Sequence, residues 1–568
     1  MQTIKGNPGA PGIAIGTIVL YTKQASEPAE EMTFATARAA CVEQMKQLRQ
    51  RALEEVGEEQ AKIFTAYQML LEDAYLFQPM ERRMAAGEPP EQAIGAECEA
   101  VAQRFAGMKQ DYLRQRADDI WNVGNLLINR MKGAEPGPIL PEGESKVLLA
   151  AYELTPADTF LLDKKRLGGL ITEQGGATSH TVILAKSMGI PAITGVRQVL
   201  SALGRHQNAV MDGQTGELIL DPDAQTVQNC LQKQDSQHAF REKVDRLGCR
   251  QAVTKDGEII RLCANIGSPW DMDALQNEEY DGIGLFRTEF LYADSAAEPI
   301  MAEQEAAYRA VLERADGREV IIRTLDIGGD KEVPYLCLPK EQNPFLGNRG
   351  LRLCLERREL FVRQLVAILT ASAGKQVKIM FPMVTEISEL VEAKRCLGEA
   401  ERELMEKGQP CCEKVKIGMM VETPAAAVMA ESFAACCDFM SIGTNDLTQY
   451  VTAADRGNPH VQKLYCPYHP AVIRLIANTA AAGLKTGTEV SVCGELGGNP
   501  LFLPLLIGLG IGKLSMAPAL LKTARFLICH MTKQDTEQLA RQILELEDAA
   551  QIEAALQRTY QKLLKNIS

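Results

Sequence analysis

Histidine is scarce in this chain, with six residues among 568, so few groups are available for imidazole chemistry. No run of about 18 apolar residues occurs, and neither a transmembrane helix nor direct membrane insertion is expected. The opening stretch MQTIKGNPGAPGIAIG is broken by Gly and Pro and lacks the apolar centre of a signal peptide. Positive charge is in deficit: 61 Lys and Arg against 74 Asp and Glu give a formal charge of −13, a poor footprint for nucleic acid. The 15 cysteines contain no C-x-x-C pair, and several (Cys263, Cys354, Cys396) lie in apolar or helical stretches. That pattern fits small core hydrophobes in a reducing compartment, not a disulfide framework. A cytoplasmic location is the expectation.

What is present fits a large globular chain, with 46% hydrophobic and 24% charged residues. At about 150 residues per domain, three or four domains are expected. Residues 4–21 read as strand with glycine punctuation. From about 28 to 134, apolar residues recur at three- and four-residue spacing, which predicts an insert of antiparallel helices. From about 143 the texture shifts to short strands and helices, a small α/β domain that the N-terminal strand joins. A polar helical stretch, 224–248, reads as a linker. The remainder alternates strand and helix: RLCANIG, GIGLFRTE, VIIRTLDIGG, VKIMFPMV, VKIGMMVETP, FMSIGTNDL, VSVCGEL and KLSMAP. Eight such strands over roughly 300 residues predict a (β/α)8 barrel, whose chemistry sits at the C-terminal strand ends.

Polar residues do cluster at those ends. Arg287 and Arg323 each close an apolar strand, where a buried guanidinium needs an anionic partner. Two converging guanidiniums make a phosphate clamp; the alternative is a pair of salt bridges with Glu289 and Asp326. Glu422 and Asp446 end consecutive strands and can hold Mg2+ through hard oxygens, the alternative being two solvated carboxylates. Asn445 adds a neutral donor, and Arg456 a further cation on the next loop. Cys493 stands at a strand end beside glycines, suited to moving a proton. Earlier in the chain, Gly175-Gly176-Ala177-Thr178-Ser179-His180 follows a strand and opens a helix. Helical N–H groups and the helix dipole there favour a phosphoryl group on the imidazole; the alternative is a capped glycine turn carrying an incidental histidine.

Several long segments resemble one family. GGATSHTVILAKSMGIPAITG is similar to the phosphohistidine swivelling domain of the phosphoenolpyruvate-utilising enzymes. GIGLFRTEFL, RTLDIGGDKEVPY, NPFLGNRGLR, MMVETPAA, SIGTNDLTQY, DRGN and CGELGG resemble that family's barrel, in its usual order. KGNPGAPGIAIG, LLEDAYL and YLRQRADDIWNVGNLL match too, and the helical insert resembles the carrier-binding domain of the enzyme I branch, the phosphoenolpyruvate–protein phosphotransferases of the sugar phosphotransferase system.

The resemblance implies a multidomain α/β architecture: a phosphohistidine domain of residues 1–21 and 143–222, a helical HPr-binding insert at 22–142, a linker helix at 223–250, and a phosphoenolpyruvate-binding and dimerising barrel at 251–568. It implies Mg2+ on Glu422 and Asp446, with Arg287, Arg323 and Arg456 on the substrate's phosphate and carboxylate. Asn445 would assist, with Lys331 and Arg349 as further contacts. His180 would take the phosphoryl group, Cys493 would protonate enolpyruvate, and an HPr-type carrier would then be charged. His180 must meet two partners in turn, so its domain is expected to swing about the linker. Two positions depart from the family pattern: Ala177 stands where an arginine is usual, and Asn348 where an aromatic residue precedes Arg349. The competing readings are a phosphoenolpyruvate synthase or pyruvate phosphate dikinase, for which the nucleotide-grasp domain is missing, and a non-catalytic phosphoenolpyruvate-sensing paralogue, against which the intact residue set argues.

Overall fold

A computed structural model describes residues 1–568 apart from 22–31, 56–57, 107–110, 134–145, 155–157, 159–161, 163–165, 175–180, 183–184, 187–188, 197–198, 203–207, 247, 249–250, 294–296, 329–332, 413, 459 and 568. Two units are distinguished, Met1–Arg241 and Glu242–Ser568.

In the first unit, five helices arise from the expected periodicity: α1 (Phe34–Glu55), α2 (Glu58–Glu72), α3 (Ala74–Ala85), α4 (Pro90–Ala106) and α5 (Asp111–Met131). The buried stripe of α1 is Ala37, Cys41, Met45, Leu48 and Ala52. It meets Ala61, Phe64, Tyr67 and Leu71 of α2 and Ile120, Val123 and Leu127 of α5 in one core. Asp73 caps α3 by accepting a hydrogen bond from the Tyr75 amide at 2.8 Å.

The same unit holds an eight-stranded sheet: β1 (Gln2–Lys5), β2 (Asn7–Ala10), β3 (Ile13–Leu20), β4 (Val147–Ala151), β5 (Leu167–Thr172), β6 (Ala192–Thr194), β7 (Asn208–Asp212) and β8 (Glu217–Leu220). Its order is β1-β8-β7-β3-β4-β5-β6-β2, parallel from β3 to β6 and antiparallel elsewhere. In β4, Leu148 and Ala150 belong to one core while Val147, Leu149 and Ala151 belong to another. Period-two alternation thus buries both faces of the sheet, which is why this strand reads as an unbroken apolar run. The N-terminal strands join this sheet, as the sequence led one to expect. Helix Ala224–Asp245 is polar nearly all round, with Val244 its buried residue.

The second unit is the expected barrel. Eight parallel strands close on themselves: β10 (Ile259–Ile266), β11 (Gly282–Phe286), β12 (Glu319–Arg323), β13 (Val377–Phe381), β14 (Val415–Val421), β15 (Phe439–Ile442), β16 (Glu489–Val492) and β17 (Lys513–Met516). β17 pairs back onto β10, and the short β9 (Ala252–Val253) lies antiparallel to β10. The barrel interior is a packed core of Leu285, Ile321, Met380, Met420, Phe439 and Cys493. Charged side chains occupy its N-terminal end. Lys513 is 1% exposed and pairs with Glu319 and, at 3.2 Å, with Glu489. Lys378 reaches the same two carboxylates at 2.5 and 2.9 Å. Among the described residues, no helix is long and apolar enough to cross a membrane.

Candidate active site at the barrel mouth

Strand ends carry three of the expected residues, Arg323, Glu422 and Asp446, into one buried ionic cluster. Arg323, the last residue of β12, donates from Nη2 to Glu289 Oε1 at 2.9 Å and pairs through Nη1 with Asp326 Oδ2 at 3.1 Å. Asp326 also receives Arg349, whose Nη2 lies 3.1 and 3.0 Å from its two oxygens. The salt-bridge alternative is therefore realised for Arg323. Burial works against its charge, but Glu289, Asp326 and Glu422 outweigh that and hold its pKa above the ordinary arginine value. One donor stays unspent: among the described residues, Arg323 Nε is buried without a hydrogen-bond partner.

Glu422 follows β14 and is fully buried. Its Oε1 accepts the Met383 amide at 2.7 Å, while Oε2 is buried and accepts no hydrogen bond from the described residues. Burial pushes this carboxyl up to about 8, and repulsion from Asp326 and Asp446 adds to the shift; Arg323 and Arg349 pull against it. Asp446, in the first turn of helix Thr444–Thr452, presents Oδ1 likewise buried and without a hydrogen bond from the described residues. Arg349 Nη1 and Arg456 Nη2 stand 3.6 and 3.7 Å from that oxygen, at ion-pair range only.

Two unsatisfied carboxylate oxygens and one unsatisfied guanidinium nitrogen in the same cluster are costly unless ligands meet them. The donor set, hard oxygens from two carboxylates, fits Mg2+ completed by substrate and water oxygens. Among the described residues, no group of three or more His, Cys, Asp or Glu could hold a metal by itself.

Other expected residues take different positions. Arg287 follows β11, is exposed, and forms no ion pair among the described residues, so it does not share the buried network of Arg323. Asn445 Oδ1 accepts the Glu495 amide at 3.1 Å, linking the ends of β15 and β16. Cys493 is 2% exposed, and burial pushes its thiol up to about 11, with Ser441 and Arg323 acting the other way. The Asn348 amide donates to Glu341 Oε1 at 2.9 Å and its side chain donates to Glu356, which anchors the loop before Arg349. His180, Ala177 and Lys331 lie outside the described residues.

Three contributors escaped the sequence reading. Met383 holds Glu422 through its backbone, at a φ of 57°, and nothing in the local sequence signals that conformation. Tyr450 donates to the Phe345 carbonyl at 2.5 Å and accepts from Arg349 at 3.5 Å. Its place one turn beyond Asp446 on the same helix was the available signal. Ser441, on β15, accepts a hydrogen bond from its register partner Ser491 at 3.0 Å and opposes the effect of burial on the Cys493 thiol.

The chain matches three family models: the PEP-utilising enzyme PEP-binding domain over residues 241–533, the N-terminal domain over 5–116 and the mobile domain over 143–216. A phosphoenolpyruvate-protein phosphotransferase from Bacillus subtilis is 38% identical, across 99% of this chain and 100% of its own length. One from Listeria monocytogenes is 36% identical, across 97% and 98%. A solution NMR structure of an Enzyme I protein is 33% identical and covers 41% of this chain and 99% of its own, with a TM-score of 0.35.

Proposed function

The chain belongs to the phosphoenolpyruvate-utilising enzyme family, and from that premise we propose that it is a cytoplasmic phosphoenolpyruvate–protein phosphotransferase. It moves the phosphoryl group of phosphoenolpyruvate to His180 and then to a histidine of an HPr-type carrier, releasing pyruvate as the first step of sugar uptake. The observation that carries the reading is the buried set of unsatisfied atoms on Arg323, Glu422 and Asp446 at the barrel's C-terminal end.

Glu422 and Asp446 would hold Mg2+, whose contribution is neutralisation of the charge that develops on substrate oxygens. Arg323, with its free Nε, Arg349, Arg456 and the exposed Arg287 would bind phosphate and carboxylate. Asn445 and Lys331 would assist. His180 Nε2 attacks phosphorus, the bond to the enol oxygen breaks, and that oxygen keeps the electron pair. Positioning and electrostatics carry this step, because little other covalent work is needed. Cys493, kept protonated by burial, then gives its S–H proton to the methylene carbon and is left as thiolate until solvent reprotonates it. In this reading residues 1–21 and 143–222 carry His180, 22–142 dock the carrier and 223–250 form the link. Residues 251–568 bind substrate and pair two copies.

The experiment is to incubate the protein with labelled phosphoenolpyruvate and Mg2+, map the acid-labile label and test its discharge to HPr. Label on His180, absent in His180→Ala and passed to the carrier, is the expected result. Labelling of His180 from ATP would instead indicate a synthase- or dikinase-like enzyme, and substrate binding with no label a sensor.

A further inference from the structure

The seam between β16 and β17, just before Cys493, is the thinnest in the barrel. Val492 beside Leu514 is its one register pair, whereas each strand pairs with its other neighbour along its whole length. Past that pair the ladder ends, and Asn265 of β10 spans the opening. Its Nδ2 donates to the Cys493 carbonyl at 2.8 Å and to the Ser515 carbonyl at 3.3 Å. Ser515, 1% exposed, donates from Oγ to Asn265 Oδ1 at 2.6 Å. The amide can face only this way, because a reversed group would set its oxygen against two carbonyls that only accept. The strand on the other side of β10 makes room for this arrangement. Ala264 pairs with Ile283 and Asn265 with Leu285, which leaves Gly284 as an extra residue on β11. A Cβ on Gly284 would strike Ser515 Oγ and stand 2.6 Å from Ser515 Cβ. Meanwhile the Cys493 amide donates to the Ile442 carbonyl at 3.1 Å. Both backbone groups of Cys493 are thus held, one from β15 and one from β10, which fixes where its Cβ stands.

The plain alternative is a strut that satisfies two strand-end carbonyls and has no bearing on the thiol. A strut would grip both alike, yet the shorter bond goes to Cys493, and a buried hydroxyl is spent on aiming it. We propose that Asn265, aimed by Ser515, is a positioning residue for the proton transfer by Cys493. It holds the Cys493 backbone while the S–H bond breaks, the proton joins the methylene carbon and the sulfur keeps its electron pair. A small displacement of a reacting group is enough to slow such a step. The inference rests on the proposed role of Cys493 as the acid.

The test compares full-length wild type, Asn265→Leu, Asn265→Gln, Ser515→Ala and Cys493→Ser, each with Mg2+. Three quantities are read in a single turnover: phosphorylation by phosphoenolpyruvate, the rate at which pyruvate forms, and the chirality of its methyl group. Chirality is read in D2O from phosphoenolpyruvate tritiated at one methylene position, and it reports whether the new C–H bond forms on one face. Losing one hydrogen bond should slow pyruvate formation about tenfold in Asn265→Leu and erode methyl chirality, with phosphorylation near wild type. Asn265→Gln keeps the amide and should recover part of the rate. Ser515→Ala deletes only the aiming hydroxyl and should show a smaller loss of the same kind, which keeps the test open if Asn265→Leu does not fold. Wild-type pyruvate rate and chirality in Asn265→Leu or Ser515→Ala, with both lost in Cys493→Ser, overturn the positioning role and leave the thiol acid standing. Wild-type rate and chirality in Cys493→Ser remove the acid reading and Asn265 with it. Equal losses of phosphorylation and pyruvate formation, with chirality intact, would make Asn265 a structural strut only.

Discussion

Arg349 grips Asp326 along one edge of its guanidinium, with Nη2 3.1 and 3.0 Å from the two carboxylate oxygens and Nε 3.3 Å from Oδ1. The same carboxylate pairs with Arg323 at 3.1 Å, so a single buried anion fixes two of the proposed substrate-binding arginines. Asp326→Asn keeps the shape and removes the charge. It should lower barrel stability by about 3 kcal/mol, because two buried cations lose their shared partner. It should also raise the KM for phosphoenolpyruvate more than it lowers kcat. Calorimetry and steady-state kinetics check this; an unchanged KM would mean that neither arginine meets substrate.

Glu422 makes stability depend on pH in a definite sense. Its folded pKa of about 8 lies above the ordinary carboxyl value of about 4.3. Between those values the folded protein retains a proton that the unfolded chain has released. This contribution to stability is therefore complete at low pH and is lost as pH rises toward 8. Metal-free protein should melt at falling temperature from about pH 5 to pH 8, more steeply than Glu422→Gln. Mg2+, which favours the ionised form, should raise the melting temperature more at pH 8 than at pH 6. Parallel profiles for wild type and Glu422→Gln in chelator would contradict the assignment.

These relationships differ in how far the sequence announces them. The eight barrel strands are legible because each is a short apolar run ending in a polar residue, and that edge is where the candidate site was expected. Arg323, Glu422 and Asp446 were singled out for that reason. What local pattern cannot reveal is partnership. Asp326 stood as one of two alternative salt-bridge partners, yet it organises both Arg323 and Arg349. Arg287, expected to converge with Arg323, is exposed and forms no ion pair among the described residues. Lys378 and Lys513 carry no local mark of a partner, yet barrel closure turns them inward against Glu319 and Glu489. Met383 adopts φ 57° because its surroundings impose it, not because methionine favours it.

Gly443 offers a way to move one carboxylate without altering its charge. A Cβ there would stand 2.9 Å from Glu422 Oε2 and 3.0 Å from both Glu422 Cβ and Met420 Sδ. Its φ of −85° is ordinary, so alanine meets crowding and not backbone strain. Overpacking should cost about 1–3 kcal/mol of stability. Displacement of Glu422 should lower kcat/KM on the order of 10²-fold, a loss out of proportion to the melting shift. Stronger Mg2+ binding, or unchanged kinetics, would show that this oxygen does not serve the reaction.

The opposite end of the barrel should answer to mutation in a different currency. Lys513 and Lys378 share Glu319 and Glu489, and Arg261 pairs with Glu489 from the rim. Lys513→Met removes the most buried cation and leaves two carboxylates facing fewer partners, which should cost about 3–5 kcal/mol. Adding Glu319→Gln removes one stranded charge and should recover part of that loss, giving a coupling a double-mutant cycle can measure. Because the network sits at the N-terminal strand ends, kcat well below the melting transition should stay near wild type in both variants. A fall in kcat without a fall in melting temperature would make this ionic layer part of the catalytic machinery, and the division of the barrel into a stabilising end and a reactive end would fail.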